Sequence, residues 1–328
     1  VQEESTTNGR QLLTATRLKA ARLCQRFHRI RYIDRVVPLE EPEPLRFGSL
    51  IHRGLEAWWK ASVGDRLDAA LAAIQGEADE FDRARAHALL CGYDTKYSGM
   101  TLWVLDVEVP FQFRLVNPDS GFPSRTWDLA GRIDAIVRTP DGRVLIVEHK
   151  TTSEDLGPGS EYWRRLQIDG QVSIYYEGAK ALGYQVSGCL YDVIGKPAIR
   201  PGKATPPDQR KYTKDGRLYA NQRETDETPD EFRDRLMLAI SENPQRYYGQ
   251  GEVVRLESEC DDALADIWNL GQHLMTAQRT GLHPRNPDAC VRWGRTCEYF
   301  DVCTGTADLT DPSRFTRLPS AHPELVNP

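Results

Sequence analysis

Apolar residues recur along the chain at two spacings, and the change from one to the other divides it. Leu13, Leu18, Ala21 and Leu23 recur at helical spacing, which predicts a first helix within residues 10–31. The Pro- and Glu-rich stretch "VPLEEPEPLRFG" follows, and no helix crosses such a linker intact. Helical spacing resumes in "FGSLIHRGLEAWWKA" and in "GDRLDAALAAIQGEADEFDRARAHALLCG", so residues 1–100 read as a helical N-terminal region. From Thr101 the period becomes two. "TLWVLDVEVPFQFRLV" and "TWDLAGRIDAIVR" alternate apolar with polar positions, and "TPDGR" supplies a turn before "VLIVEHK". An amphipathic helix is expected over "SEYWRRLQIDGQVSIYYEGAKALG", capped by Ser160 and stopped by Gly183, with "QVSGCLYDVIG" as the next strand. Residues 101–195 thus read as an α/β core. Residues 196–228, rich in Pro, Lys, Arg and Asp, form a loop excursion. Residues 229–328 read as a helical C-terminal region, with helices at 229–243 and 261–280 and an irregular tail after Cys303.

Composition narrows the class. A chain of 328 residues has room for one elaborated domain or two smaller ones, and 40% hydrophobic with 27% charged residues is ordinary for a soluble globular protein. No apolar run is long enough to cross a bilayer, and "VQEESTTNGRQLLTATRLKA" has no apolar leader segment, so the cytoplasm is the expected location. The net charge of -6 gives no global attraction to nucleic acid, leaving local basic patches or bound cations to make such contacts. One patch stands out: Arg10, Arg17, Lys19, Arg22, Arg26, Arg29 and Arg31 occur without an intervening carboxylate. A solvated helix face is the plain reading of it. Seven cysteines in a reducing compartment direct attention to metal or cluster ligation rather than disulfides.

The strand "VLIVEHK" ends in charges that are costly to bury singly. Residues two apart share a strand face, so Glu148 and Lys150 are neighbours, with His149 on the other side. A hairpin through "PDG" brings Asp134 close to Glu148 across the ladder. Two such carboxylates repel unless a cation lies between them, and hard oxygen ligands suit Mg2+ or Mn2+. A surface hairpin with cross-strand ion pairs is the alternative for an acid-x-Lys pattern taken alone.

"GRIDAIV" followed by "VLIVEHKTT" resembles the core motif of the PD-(D/E)XK nuclease superfamily, with Asp134, Glu148 and Lys150 in the acid, acid and lysine positions. Ile133 stands where the family name has proline. The resemblance implies a restriction-endonuclease-like α/β fold, a mixed central sheet flanked by helices. It also implies that the backbone carbonyl of His149 is a further metal ligand and that Thr151 and Thr152 lie near the substrate phosphate. "GSLIHRGLE" resembles the helical His motif of the RecB-type and CRISPR-adaptation exonucleases, making His52 an additional metal ligand, and "QVSIY" resembles their Q-x-x-x-Y motif, with Gln171 and Tyr175 one turn apart. Gln167 could extend that polar face. Arg132 could contact phosphate or pair with Asp128.

Cys290, Cys297 and Cys303 lie close together near the end of the chain, with Cys24 far upstream. Four thiolates ligate Zn2+ or an iron-sulfur cluster, and gaps of six and five residues fit paired zinc knuckles poorly. The order of one cysteine before the core and three after it resembles the iron-sulfur branch of the RecB-type nucleases, implying a 4Fe-4S cluster that staples the chain ends. Three buried thiols, or His283 in place of Cys24, are the other readings; Cys91, Cys189 and Cys260 have no such company. The expected activity is a Mg2+- or Mn2+-dependent DNA exonuclease acting on single-stranded or duplex ends, in repair, recombination or CRISPR adaptation beside a partner protein. A structure-specific or restriction-type endonuclease and a non-catalytic DNA-binding recombination partner are the rivals.

Overall fold

Among the described residues a strand comes before the first helix: β1 (Gln11–Leu13) precedes α1 (Ala15–Leu23). The single helix expected over 10–31 breaks at Cys24, whose backbone is extended (φ -163°, ψ 122°), before α2 (Gln25–His28) and a π-helical turn over Arg29–Ile33. Asn286 donates through its side chain to the Leu23 carbonyl at 2.9 Å, satisfying a helix-end acceptor that a continuous helix would have paired internally. After β2 (Val36–Pro38), α3 (Glu43–Lys60) starts inside the Pro-rich stretch. Pro42 and Pro44 fall at its cap and first turn, where a missing N–H costs nothing. The long helix expected next is two, α4 (Arg66–Ala73) and α5 (Glu80–Tyr97), because Asp79 caps the second by accepting the Phe81 and Asp82 N–H groups, each at 3.0 Å.

Strands β3 (Trp103–Val116), β4 (Pro123–Arg138) and β5 (Val144–Thr152) follow the alternation. The amphipathic segment after them is again two helices, α6 (Glu161–Leu166) and α7 (Gly170–Ala181), the latter capped by Asp169. Beyond β6 (Val186–Gly195) and the irregular excursion come α8 (Pro229–Glu242), β7 (Tyr248–Val253) and α9 (Glu257–Thr280). The short pieces β8 (Val291–Arg292), β9 (Arg295–Thr296), α10 (Phe300–Thr304) and β10 (Phe315–Arg317) follow, with a 3-10 turn at Pro323–Leu325. This computed structural model describes residues 9–292 and 294–325. The leader reading above rests in part on residues 1–8, which lie outside the described residues.

Six strands form a mixed sheet in the order β1-β4-β5-β6-β7, with β3 antiparallel on the other edge of β4 and β5 parallel to β6. The regions read as helical therefore both lend strands to it: β1 from the N-terminal one and β7 from the C-terminal one. Helices cover both faces. On one, Leu18, Trp127, Ile146, Val172, Ile174 and Leu274 belong to a core shared by α1, α7 and α9. On the other, Phe47, Trp58, Leu90, Val147 and Leu236 belong to a core shared by α3, α5 and α8. Helix α7 reaches the sheet closely because Phe111 is pressed between two glycines: a Cβ on Gly131 or on Gly178 would lie 2.6 Å from its ring. A small third core of Ile30, Val36, Tyr299 and Phe315 joins the two ends of the chain. No helix among the described residues is long and apolar enough to cross a membrane.

Candidate functional site

The β4–β5 hairpin sets the site. Ala135 faces Val147 and Ile136 faces Ile146, and the pairing ends there, with Asp134 the next residue on β4 and Glu148 the next on β5. There the His149 N–H donates to the Asp134 carboxylate at 2.7 Å. Along this edge of β4, β1 pairs with residues 127–129 and β5 with residues 135–138. The segment between them has no strand partner on that side among the described residues, so the carboxylate of Asp134 stands in an opening of the sheet.

Glu148 is 3% exposed. Its Oε1 accepts from Lys150 Nζ at 2.5 Å and from Gln171 Nε2 at 2.8 Å, while its Oε2 is buried without a hydrogen-bond partner. Gln171 also accepts from Lys150 Nζ at 2.8 Å and donates to the Tyr175 hydroxyl at 2.8 Å. One side chain thus ties both charged residues of β5 to α7. His52, on α3, brings Nδ1 to 4.0 Å from Asp134 Oδ1 and keeps part of its ring exposed. Burial pushes Glu148 up to about 7, with Asp134 adding to the rise and Lys150 opposing it. Burial also raises Asp134, against the charges of His149, Lys150 and Arg132. For Lys150 burial opposes the charge, but the adjacent Glu148 carboxylate outweighs it and holds the ammonium above its ordinary range. Burial lowers His52 to about 4, so its imidazole is neutral at pH 7.

Behind this face lies a network that the sequence reading missed. Asp192 on β6, fully buried, accepts from the Tyr93 hydroxyl at 2.5 Å and from Gln250 at 2.9 Å, and its Oδ2 lies 3.0 Å from His149 Nδ1. Trp59 donates to the Tyr93 hydroxyl at 3.1 Å. The signal was a lone acid in the apolar run "CLYDVIG", the same anomaly that marked Glu148.

Other expected residues fall elsewhere. Gln167 lies in the break between α6 and α7, exposed, because Asp169 starts a new helix there. Arg132 pairs with Glu108 at 3.1 Å and donates to the Glu324 carbonyl, while Asp128 pairs with Arg10 at 2.7 Å. Arg17, read as part of a solvated face, is 3% exposed and donates to the Leu12 carbonyl and Gln11. Thr151 and Thr152 both line a groove of about 940 Å3 that starts at Lys150 and Gln171.

Cys24, Cys290, Cys297 and Cys303 line one small cavity of about 20 Å3 together with Arg26 and Arg285, and His283 is not among its walls. Cys297 donates its N–H to the Cys290 carbonyl at 2.7 Å, and Arg285 donates to the Cys303 carbonyl at 2.8 Å. Cys24 reaches the cavity because α1 ends there. Among the described residues, no group of three or more His, Cys, Asp and Glu side chains is closed up as a metal site. The donor chemistry nevertheless fits: a partnerless buried carboxylate oxygen beside a second acid, and four thiols around one cavity.

The family model of the PD-(D/E)XK nuclease superfamily matches residues 12–304. No curated protein matches the sequence. Among solved structures, the chain is similar at a TM-score of 0.45 and 10% identity to a protein of Eubacterium rectale described as a candidate exonuclease, covering 92% of this chain and 90% of that one. It is similar at a TM-score of 0.33 and 15% identity to the protein SSO0001, covering 85% and 79%.

Proposed function

The chain belongs to the PD-(D/E)XK nuclease superfamily, and from that premise we propose that it is a Mg2+- or Mn2+-dependent DNA exonuclease of the RecB-type and CRISPR-adaptation branch. The observation that carries the reading is the buried, unpartnered Glu148 Oε2 with Asp134 as its neighbouring acid. Leaving such an oxygen unpaired is costly, and a cation removes the cost. Asp134, Glu148, neutral His52 and the His149 carbonyl would hold the ion. An ion held there would polarise the scissile phosphate and make a nearby water easier to deprotonate for attack.

The protein's own groups do the rest. Lys150 has three N–H donors and spends two of them on Glu148 and Gln171, leaving one for a phosphate oxygen in the adjoining groove. Lys150 places a positive charge beside the acids, where negative charge develops on the phosphate. Gln171 holds Lys150 and Glu148 in register, and Tyr175 fixes the far side of Gln171. At the opposite corner, Cys24, Cys290, Cys297 and Cys303 would carry a 4Fe-4S cluster, its charge offset by Arg26 and Arg285.

The test is cleavage of end-labelled single-stranded, duplex and circular DNA with Mn2+. Linear DNA should be degraded and circles spared. Asp134→Ala and Lys150→Ala should each lower the rate by about a hundredfold or more while leaving the circular dichroism spectrum unchanged. Undiminished cleavage by either variant, or no cleavage by the parent, overturns the assignment.

A further inference from the structure

The site has a back as well as a front, and the two meet in one residue. His149 shares a strand face with Val147, the face covered by α3, α5 and α8, whereas Glu148 and Lys150 share the other face with Ile146. In the parallel pairing of β5 with β6, His149 lies beside Asp192, and Asp192 Oδ2 is 3.0 Å from His149 Nδ1. The carboxylate is held in turn by the Tyr93 hydroxyl of α5 and the Gln250 amide of β7. Trp59 of α3 donates to that same hydroxyl and packs its ring 5.6 Å from the imidazole of His149. A ring 2% exposed and gripped in this way has little room to turn.

What the ring fixes is the peptide it hangs from, and that peptide belongs to the front. Its N–H donates to Asp134 Oδ2 at 2.7 Å, and the His149 backbone is also a hydrogen-bond partner of the His52 imidazole. The two imidazoles meet in a T-shaped contact, centroids 6.1 Å apart. Asp134 comes from the sheet and His52 from helix α3, and His149 touches both. Were packing all that mattered, apolar side chains of like volume at 149 and 192 would serve as well as a buried histidine and carboxylate.

We infer that Asp192 is a positioning residue: acting through the His149 ring, it holds the Asp134 carboxylate and the His52 imidazole at the spacing that receives the cation. The inference rests on the nuclease reading and adds to it a residue that touches neither the acids nor the groove. Altering an outer partner of a metal site commonly costs about ten- to a hundredfold in metal affinity.

The test is Mn2+ binding without DNA, followed by electron paramagnetic resonance at one pH for the parent, Asp134→Ala, Asp192→Asn and Leu236→Ala. Leu236 is buried in the same core on α8, and its truncation controls for lost stability alone. All four are compared at a temperature where circular dichroism shows each to be folded. Asn keeps the shape of Asp192 and removes its charge. Asp192→Asn should bind Mn2+ about ten- to a hundredfold more weakly, and its DNA cleavage should recover as Mn2+ is raised by the same factor. Leu236→Ala should melt earlier and bind Mn2+ as the parent does. An affinity in Asp192→Asn equal to the parent's, a cleavage rate that added Mn2+ does not restore, or an equal loss of affinity in Leu236→Ala each overturns the inference and leaves the nuclease reading standing. A parent that binds no Mn2+, or an Asp134→Ala variant that binds it undiminished, overturns both.

Discussion

Glu148 carries the sharpest physical demand on the molecule, because it is ionisable, buried, and hydrogen-bonded through only one oxygen. Its raised pKa gives a pH signature. Without a cation, a carboxyl whose folded pKa of about 7 exceeds its ordinary 4.5 favours the fold while protonated. That contribution is complete below about pH 4.5 and is lost as pH rises through 7. Glu148→Gln does not titrate there. Melting temperatures in chelator from pH 4.5 to 8 should therefore show the variant gaining on the parent as pH rises. The lowered His52 works in the opposite direction below its ordinary value of 6.5, but it is present in both proteins. Mn2+ at pH 8 should restore the parent and leave the variant where it was, since a cation competes with protons for the carboxylate. Parallel curves in chelator would show that the acid is not held as described.

At the scale of elements, one carboxylate joins three of them to β6. Asp192 takes the Tyr93 hydroxyl from α5, the Gln250 amide from β7 and the His149 ring from β5. Burial opposes the His149 charge, but the hydrogen bond and charge of Asp192 outweigh it and raise the imidazole above its ordinary value. Removing one partner of such a pair leaves the other buried alone, and Asp192→Ala should cost about 3–5 kcal/mol, read as a shift in the denaturation midpoint. A loss under about 1 kcal/mol would mean that the network is ornamental. The same scale shows what the sequence made legible. Strands β4, β5 and β6 were readable because alternation and a Pro-Asp-Gly turn act locally, and the turn brought Asp134 near Glu148 while leaving the register to within about a residue. Strand β7 was not, since "YGQGEV" has two glycines and no alternation and is a strand only because β6 pairs with it. Helical periodicity ran across the breaks at Cys24, Asp79 and Asp169, where one backbone conformation or one capping side chain decides. The groove was beyond reach for another reason: α1, the α6–α7 junction and residues 286–292 meet only in the fold.

On the scale of the whole molecule, the two chain ends are clamped together more than once. Strand β10 pairs antiparallel with β2, the Tyr299 hydroxyl donates to the Val36 carbonyl at 2.7 Å, and the Phe27 and Tyr299 rings meet in a T-shaped contact. Cys297 packs against this same small core while its thiol faces the cavity shared with Cys24. The cysteines are thus one fastening among several, so losing a thiol should loosen the corner without dissolving the sheet. Anaerobically prepared parent protein should be brown and contain iron, and Cys24→Ser and Cys297→Ser should be pale and iron-poor. Their melting temperatures should fall by roughly 2–4 °C for each kcal/mol of ligation lost. Amide exchange should speed up over residues 24–38 and 297–317 and stay slow in β4, β5 and β6, because those strands draw on separate cores. A colourless, zinc-loaded parent would replace the cluster with another metal. Exchange that speeds up evenly through the sheet would instead show that the corner and strands β4–β6 unfold as one unit, and that the β2–β10 clamp cannot hold the ends alone.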